Sequence, residues 1–265
     1  MTQEPLLIEK KDNVVTLTLN RPAKRNSLSL ELVNILLETL DDLAADDGVR
    51  TLVIRGAGDK AFCAGFDIGS LPTNHGEGAA DRLKALGQVE ALFKAVVNFP
   101  YPVLALINGA AFGAGCELAI CCDIRIGVEK ARMGMPPAKL GIVYPWRGLQ
   151  RFIQTIGLQS TREMFFSGRT YIGKQLRELG LLDYQVVAGD AELFTYQMAT
   201  EIAANAPLAL KGTKRVINLL MQSGALDKRS QAEADSMAKA AFLSEDLQEG
   251  RSAFFQKRRP KFTGK

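Results

Sequence analysis

Residues 108–119 read Asn108-Gly109-Ala110-Ala111-Phe112-Gly113-Ala114-Gly115-Cys116-Glu117-Leu118-Ala119, and they follow an apolar run from Val103 to Ile107. A short apolar run opened by Tyr101-Pro102 is the mark of a buried strand. The small residues after it allow close backbone approach to a ligand, and a helix is expected to begin near Gly113 and run through Leu118 and Ala119. Free amides at such a helix start point at an anion or a developing oxyanion. Glu117 stands three residues beyond Ala114, on the same helical face. Spacing alone leaves two uses for it: a carboxylate flanking an oxyanion donor, or a first-turn Glu that merely complements the helix dipole.

Upstream, Val14 to Leu19 alternates apolar residues with Thr, the period of a half-buried strand ended by Asn20-Arg21-Pro22. Ser29 caps a helix over Leu30 to Leu43, where Leu32, Leu36, Leu40 and Leu43 recur at helical spacing. Thr51 to Ile54 is a short buried strand. The alternation of strands and helices makes this part α/β. Gly56-Ala57-Gly58-Asp59-Lys60-Ala61 nominally matches a dinucleotide fingerprint, which needs a helix to open at once. The following residues, Phe62 to Pro72, are too broken by Gly and Pro for that helix. From Pro145 onward the chain reads as almost entirely helical: 148–155, 160–166, 191–204, 208–221, 232–243 and 244–256.

Composition narrows the chemistry. With one histidine, His75, the chain lacks paired-His and three-His metal sites, and His75, in the polar loop Pro72 to Gly78, is expected to face solvent. Cys63, Cys116, Cys121 and Cys122 are not spaced as a disulfide framework, so reduced thiols in a cytoplasmic protein are expected, with Cys63 and Cys116 as small packing residues. No run of about 18 apolar residues is present to span a bilayer. A net charge of +4 is too mild to argue for nucleic acid, and a small anionic ligand fits better.

Leu19-Asn20-Arg21-Pro22 with Asn26-Ser27-Leu28, the segments Ala61 to Ile68 and Asn108 to Ala119, and the Glu249-Gly250 to Pro260 tail together resemble the enoyl-CoA hydratase/isomerase (crotonase) family. The resemblance implies a crotonase-like ββα spiral core (residues 1–200) that binds acyl-CoA, and a C-terminal helical trimerisation region (201–265), the assembly being a homotrimer or a dimer of trimers. It implies no cofactor other than CoA as part of the substrate. Thioester carbonyls in the family sit between two peptide N–H groups, which by position are those of Phe66 and Ala114. Glu117 falls on the first of two hydratase glutamates, and the second falls on Pro137, which has no titratable group. Leu140-Gly141-Ile142-Val143-Tyr144 is similar to the corresponding part of methylmalonyl-CoA decarboxylase, placing Tyr144 against the acyl group, although that enzyme's histidine is replaced by Phe66. Trp146 reads as a packing residue.

For the rest of the ligand, the resemblance implies contacts from Lys24, Arg25, Ala64, Asp67 and Ile68, with Phe254 and Lys257 contributed by a neighbouring subunit. Asp67 in this family more often braces the loop than takes part in chemistry. The expected activity is hydration or dehydration of an enoyl-CoA, with Glu117 activating the water. Decarboxylation of a malonyl-type thioester and non-catalytic acyl-CoA binding stay open, and a nicotinamide oxidoreductase is the remote alternative.

Overall fold

The computed structural model describes residues 4–67, 79–140, 142–223, 228–229, 232–233, 236, 240 and 244–265. Its core is a spiral in which successive turns each give one strand to a long sheet and one to a short sheet. Strands β1 (Leu6–Lys11), β2 (Val14–Leu19), β3 (Thr51–Gly56), β5 (Val103–Ile107), β7 (Ile124–Val128) and β10 (Tyr184–Val186) form the long sheet in the order β1-β2-β3-β5-β7-β10. Strands β4 (Ala61–Cys63), β6 (Ala110–Phe112), β8 (Arg132–Gly134) and β9 (Thr170–Ile172) form the short one in the order β4-β6-β8-β9. The pairs β3 and β4, β5 and β6, and β7 and β8 follow one another directly in the chain, so each turn bends from one sheet into the other. Pairing is parallel except at β1–β2 and β8–β9.

All five residues of β5 are buried, as expected for a strand inside a parallel sheet covered on both faces. Helix α1 (Leu30–Ala45) buries Leu32, Val33, Leu36 and Leu40, and the Ser29 side chain accepts from the Leu32 amide at 3.3 Å, the expected cap. Helix α2 (Ala79–Asn98) buries Val89, Leu92, Phe93 and Val96. Helix α3 (Ala114–Ile120) starts after Gly113, where the sequence placed it. At the glycine fingerprint, β4 follows in place of a helix, which removes the dinucleotide reading.

The expectation of an almost entirely helical chain beyond Pro145 is corrected by the strands β9 and β10. Each has three residues, too short to show a period. The two helices expected at 148–155 and 160–166 are present as the two halves of α4 (Trp146–Ser167), separated at Gly157, whose backbone is not helical (φ 77°, ψ 165°). Helix α5 (Lys174–Glu178) precedes β10, α6 (Ala191–Ala203) runs across the expected division at residue 200, and α7 (Pro207–Ser223) follows. A last helix spans Glu245–Phe255. Of the expected helix at 232–243, the described residues 232–233, 236 and 240 are helical. Strand β1 escaped the sequence reading because five of its six residues are exposed, three of them charged, as suits a sheet edge.

Helix α3 is pressed against the end of β4. A Cβ added at Gly115 would stand 2.1 Å from the Cys63 carbonyl oxygen, which is main chain and cannot swing aside. Gly115→Ala is therefore expected to lower stability by about 1–3 kcal/mol through overpacking, read as a drop in Tm. A Tm equal to wild type would show that the helix can lift away from β4.

Candidate active site

The chain just before Phe66 approaches the first turn of α3, the helix that carries Glu117. The Leu28 amide donates to the Gly65 carbonyl and the Asp67 amide to the Leu28 carbonyl, both at 2.9 Å. This single parallel bridge between Leu28 and Phe66 leaves the Phe66 N–H pointing away from residue 28. Gly65 has φ +109°, a conformation open to glycine, and a Cβ there would lie 2.8 Å from the Phe112 carbonyl oxygen and 3.6 Å from the Ala114 nitrogen. The chain before Phe66 thus closes on the first turn of α3. Among the described residues, neither the Phe66 nor the Ala114 amide donates to another group.

Glu117, on α3, is 2% exposed. The Tyr144 hydroxyl donates to its Oε2, and Arg151 Nη1 donates to its Oε1 at 2.6 Å. Arg151 comes from α4 and also grips Glu90 of α2 in a fork, with Nη1 to Oε2 at 2.9 Å and Nη2 to Oε1 at 2.5 Å. Burial pushes the Glu117 carboxyl above the ordinary carboxylate value, while the bonds from Tyr144 and Arg151 pull it back and the charge of Glu90 adds to the rise. Burial, followed by the negative charge of Glu117, holds the Tyr144 phenol well above its usual value, so it remains a donor. Burial works against the Arg151 charge, but its hydrogen bonds to the Glu90 and Glu117 carboxylates outweigh that and keep it cationic.

The remaining expected site residues are spread over several parts of the chain. Arg25 and Ala64 are brought together, since the Ala64 amide donates to the Arg25 carbonyl at 3.0 Å. Arg25 also lines a cleft of about 310 Å³ with Pro22, Asp59 and Lys60, and Lys24 is exposed beside it. Asp67 pairs with Arg21 at 2.9 Å, which fixes its loop to the 3-10 turn that begins at Pro22. Phe254 lies in the last helix, and Lys257 is exposed just beyond it at φ 53°. Ile68 and His75 lie outside the described residues. Pro137 is buried in a short 3-10 turn, Pro137–Leu140, that follows β8.

Trp146, expected as a packing residue, is not packed within the single chain. It is 63% exposed, with the Arg147 guanidinium 4.5 Å over its ring. The cysteines are free and buried, and burial raises the Cys63 thiol to about 12. Sequence reading missed Arg151 and Glu90. The available signal was an Arg on the stripe of α4 that buries Gly148, Phe152 and Ile156, since a cation beside an apolar face requires a carboxylate partner.

The family model described as "Enoyl-CoA hydratase/isomerase" matches residues 9–265. The chain belongs to the enoyl-CoA hydratase/isomerase family. It is 34% identical over 265 residues to a 2,3-dehydroadipyl-CoA hydratase of Escherichia coli, covering 98% of this chain and 99% of that one. It is 31% identical to a crotonyl-CoA hydratase of Syntrophomonas wolfei, covering all of both chains. An enoyl-CoA hydratase structure from Bacillus anthracis superposes with a TM-score of 0.92 at 30% identity, covering 99% of this chain and 100% of that one. The spiral core with its C-terminal helices is thus the crotonase fold, and the chain is an acyl-CoA enzyme of the hydratase family. No helix among the described residues is long and apolar enough to cross a membrane.

Proposed function

We propose that this enzyme hydrates, and in reverse dehydrates, an enoyl-CoA thioester through an enolate held by the amides of Phe66 and Ala114. The observation that carries this is the buried Glu117 carboxylate one turn from the Ala114 amide. The two N–H groups polarise the thioester carbonyl, which makes Cβ electrophilic and stabilises the charge that develops on oxygen. Glu117 takes a proton from water as its oxygen bonds to Cβ, giving the enolate. The proton then returns to Cα. Pro137 offers no group for that second step, so Glu117 itself returns the proton, with Tyr144 bonded to the carboxylate throughout. No cofactor beyond the CoA of the substrate takes part in this scheme.

The basic edge at Lys24 and Arg25 suits the phosphates of CoA, with Ala64, Asp67 and Ile68 along the chain between it and the oxyanion hole. The helical region after residue 200 mediates assembly as a homotrimer or dimer of trimers, through which Phe254 and Lys257 of a neighbouring subunit would reach the CoA. Supporting assembly, Val143, Trp146 and Phe166 on and beside α4 are 93%, 63% and 79% exposed in the single chain.

The test is incubation with crotonyl-CoA and, separately, methylmalonyl-CoA. Loss of the conjugated-thioester absorbance with a 3-hydroxyacyl product supports hydration. Carbon dioxide release from methylmalonyl-CoA without hydration supports decarboxylation, the reading that Tyr144 beside the acyl site would otherwise favour. Tyr144→Phe adds a pH test. Losing a bond that lowers the Glu117 value moves that value up, so the acid limb of kcat/KM should shift to higher pH. An acid limb in its wild-type position would separate Tyr144 from the titration of Glu117.

A further inference from the structure

We propose that Arg151, clamped by Glu90, is the positioning residue that holds Glu117 as an ionised base in one fixed rotamer. This rests on Glu117 acting as the base. Arg151 spans two environments. Its guanidinium lines a cleft of about 640 Å³ among α2, α4 and α7, together with Glu90, Lys94, Trp146 and Gln150, while its Nη1 reaches inward to the buried Oε1 of Glu117. The fork to Glu90 fixes the guanidinium plane, and a fixed plane fixes the direction of the remaining N–H toward Glu117. Tyr144 holds the other carboxylate oxygen, so the base is gripped at both ends.

Charge gives Arg151 a second effect. Two carboxylates share its Nη1, and without the cation they would face each other uncompensated; the more buried, Glu117, would keep its proton. The other titratable groups around Glu117 do not supply that charge. Cys116 on α3, Cys121 just past its end and Cys63 on β4 are buried thiols pushed upward by burial, and Tyr144 is a neutral donor. Arg147 lies 3.9 Å from Glu90 and is more than half exposed. Arg151 is the cation in direct contact with Glu117 among the described residues.

The experiment measures kcat and KM against pH for crotonyl-CoA hydration by wild type, Arg151→Gln, Arg151→Lys, Glu90→Gln and Glu117→Gln, with methylguanidinium added to Arg151→Gln. Arg151→Gln should lose about 10- to 100-fold in kcat with KM little changed, and its acid limb should move to higher pH. Methylguanidinium, admitted through the cleft, should return the limb toward wild type. Arg151→Lys keeps the charge but not the fork, so its limb should stay near wild type while kcat falls. A wild-type acid limb in Arg151→Gln that ignores methylguanidinium, with Glu117→Gln inactive, overturns the positioning role and leaves the base intact. Full hydration by Glu117→Gln overturns both. If Arg151→Gln does not fold, wild-type kcat in both Arg151→Lys and Glu90→Gln overturns the proposal, and a fall in kcat at unchanged KM in both supports it.

Discussion

Glu117→Gln is expected to slow enoyl-CoA hydration by about 10²- to 10⁴-fold, the usual contribution of a general acid/base, with thioester binding retained. Gln keeps the volume and an acceptor for Arg151, and Arg151 keeps its fork to Glu90, so the fold should survive the change. Stability supplies a second signature. Because the folded Glu117 value is raised, the folded chain binds more protons than the unfolded one between the ordinary carboxylate value and the raised one. Glu117 therefore costs wild-type stability as pH rises through that window, and Glu117→Gln should remove this part of the decline. Activity moves the other way, since the base works only when ionised. Tm and kcat/KM measured across the same pH range check both signs, and undiminished hydration would discard the assignment of Glu117 as base.

Ala114→Pro is expected to lower kcat by about 10²- to 10³-fold, the range for losing one oxyanion donor. Ala114 is the first residue of α3, where proline is well tolerated because that N–H has no partner inside the helix. The substitution deletes the proposed donor while leaving the Glu117 side chain and its partners unchanged. An unaltered far-ultraviolet circular dichroism spectrum with a collapsed kcat supports the backbone hole. A kcat close to wild type in a folded Ala114→Pro enzyme would show that the carbonyl is polarised elsewhere.

The parts legible in the sequence are those whose signals are local. Ser29, the period of α1, the strand before Asn108 and the helix start at Gly113 are each written within about a dozen residues, and each stands where expected. The three-residue strands of the short sheet were not legible, because no period fits into three residues and their partners come from other turns. The same division runs through the site. Glu117's place on α3 was legible while its use was left open by spacing, whereas Arg151 and Glu90 lie 34 and 27 residues from it and meet it only when α2 and α4 pack beside α3. Tyr144 became a candidate only through family resemblance, and its partner became visible only in three dimensions.

The amides of Phe66 and Ala114 belong to the main chain, so the side chains on those two residues carry no part of the proposed carbonyl activation. In the proposed scheme they can be exchanged while the two donors stay where the spiral puts them. Side-chain identity and the proposed carbonyl activation are thereby carried by separable parts of the same residues. Point mutations at Phe66 and Ala114 can then accumulate without dismantling the proposed hole, an inheritable freedom that a hole built from side chains would not have.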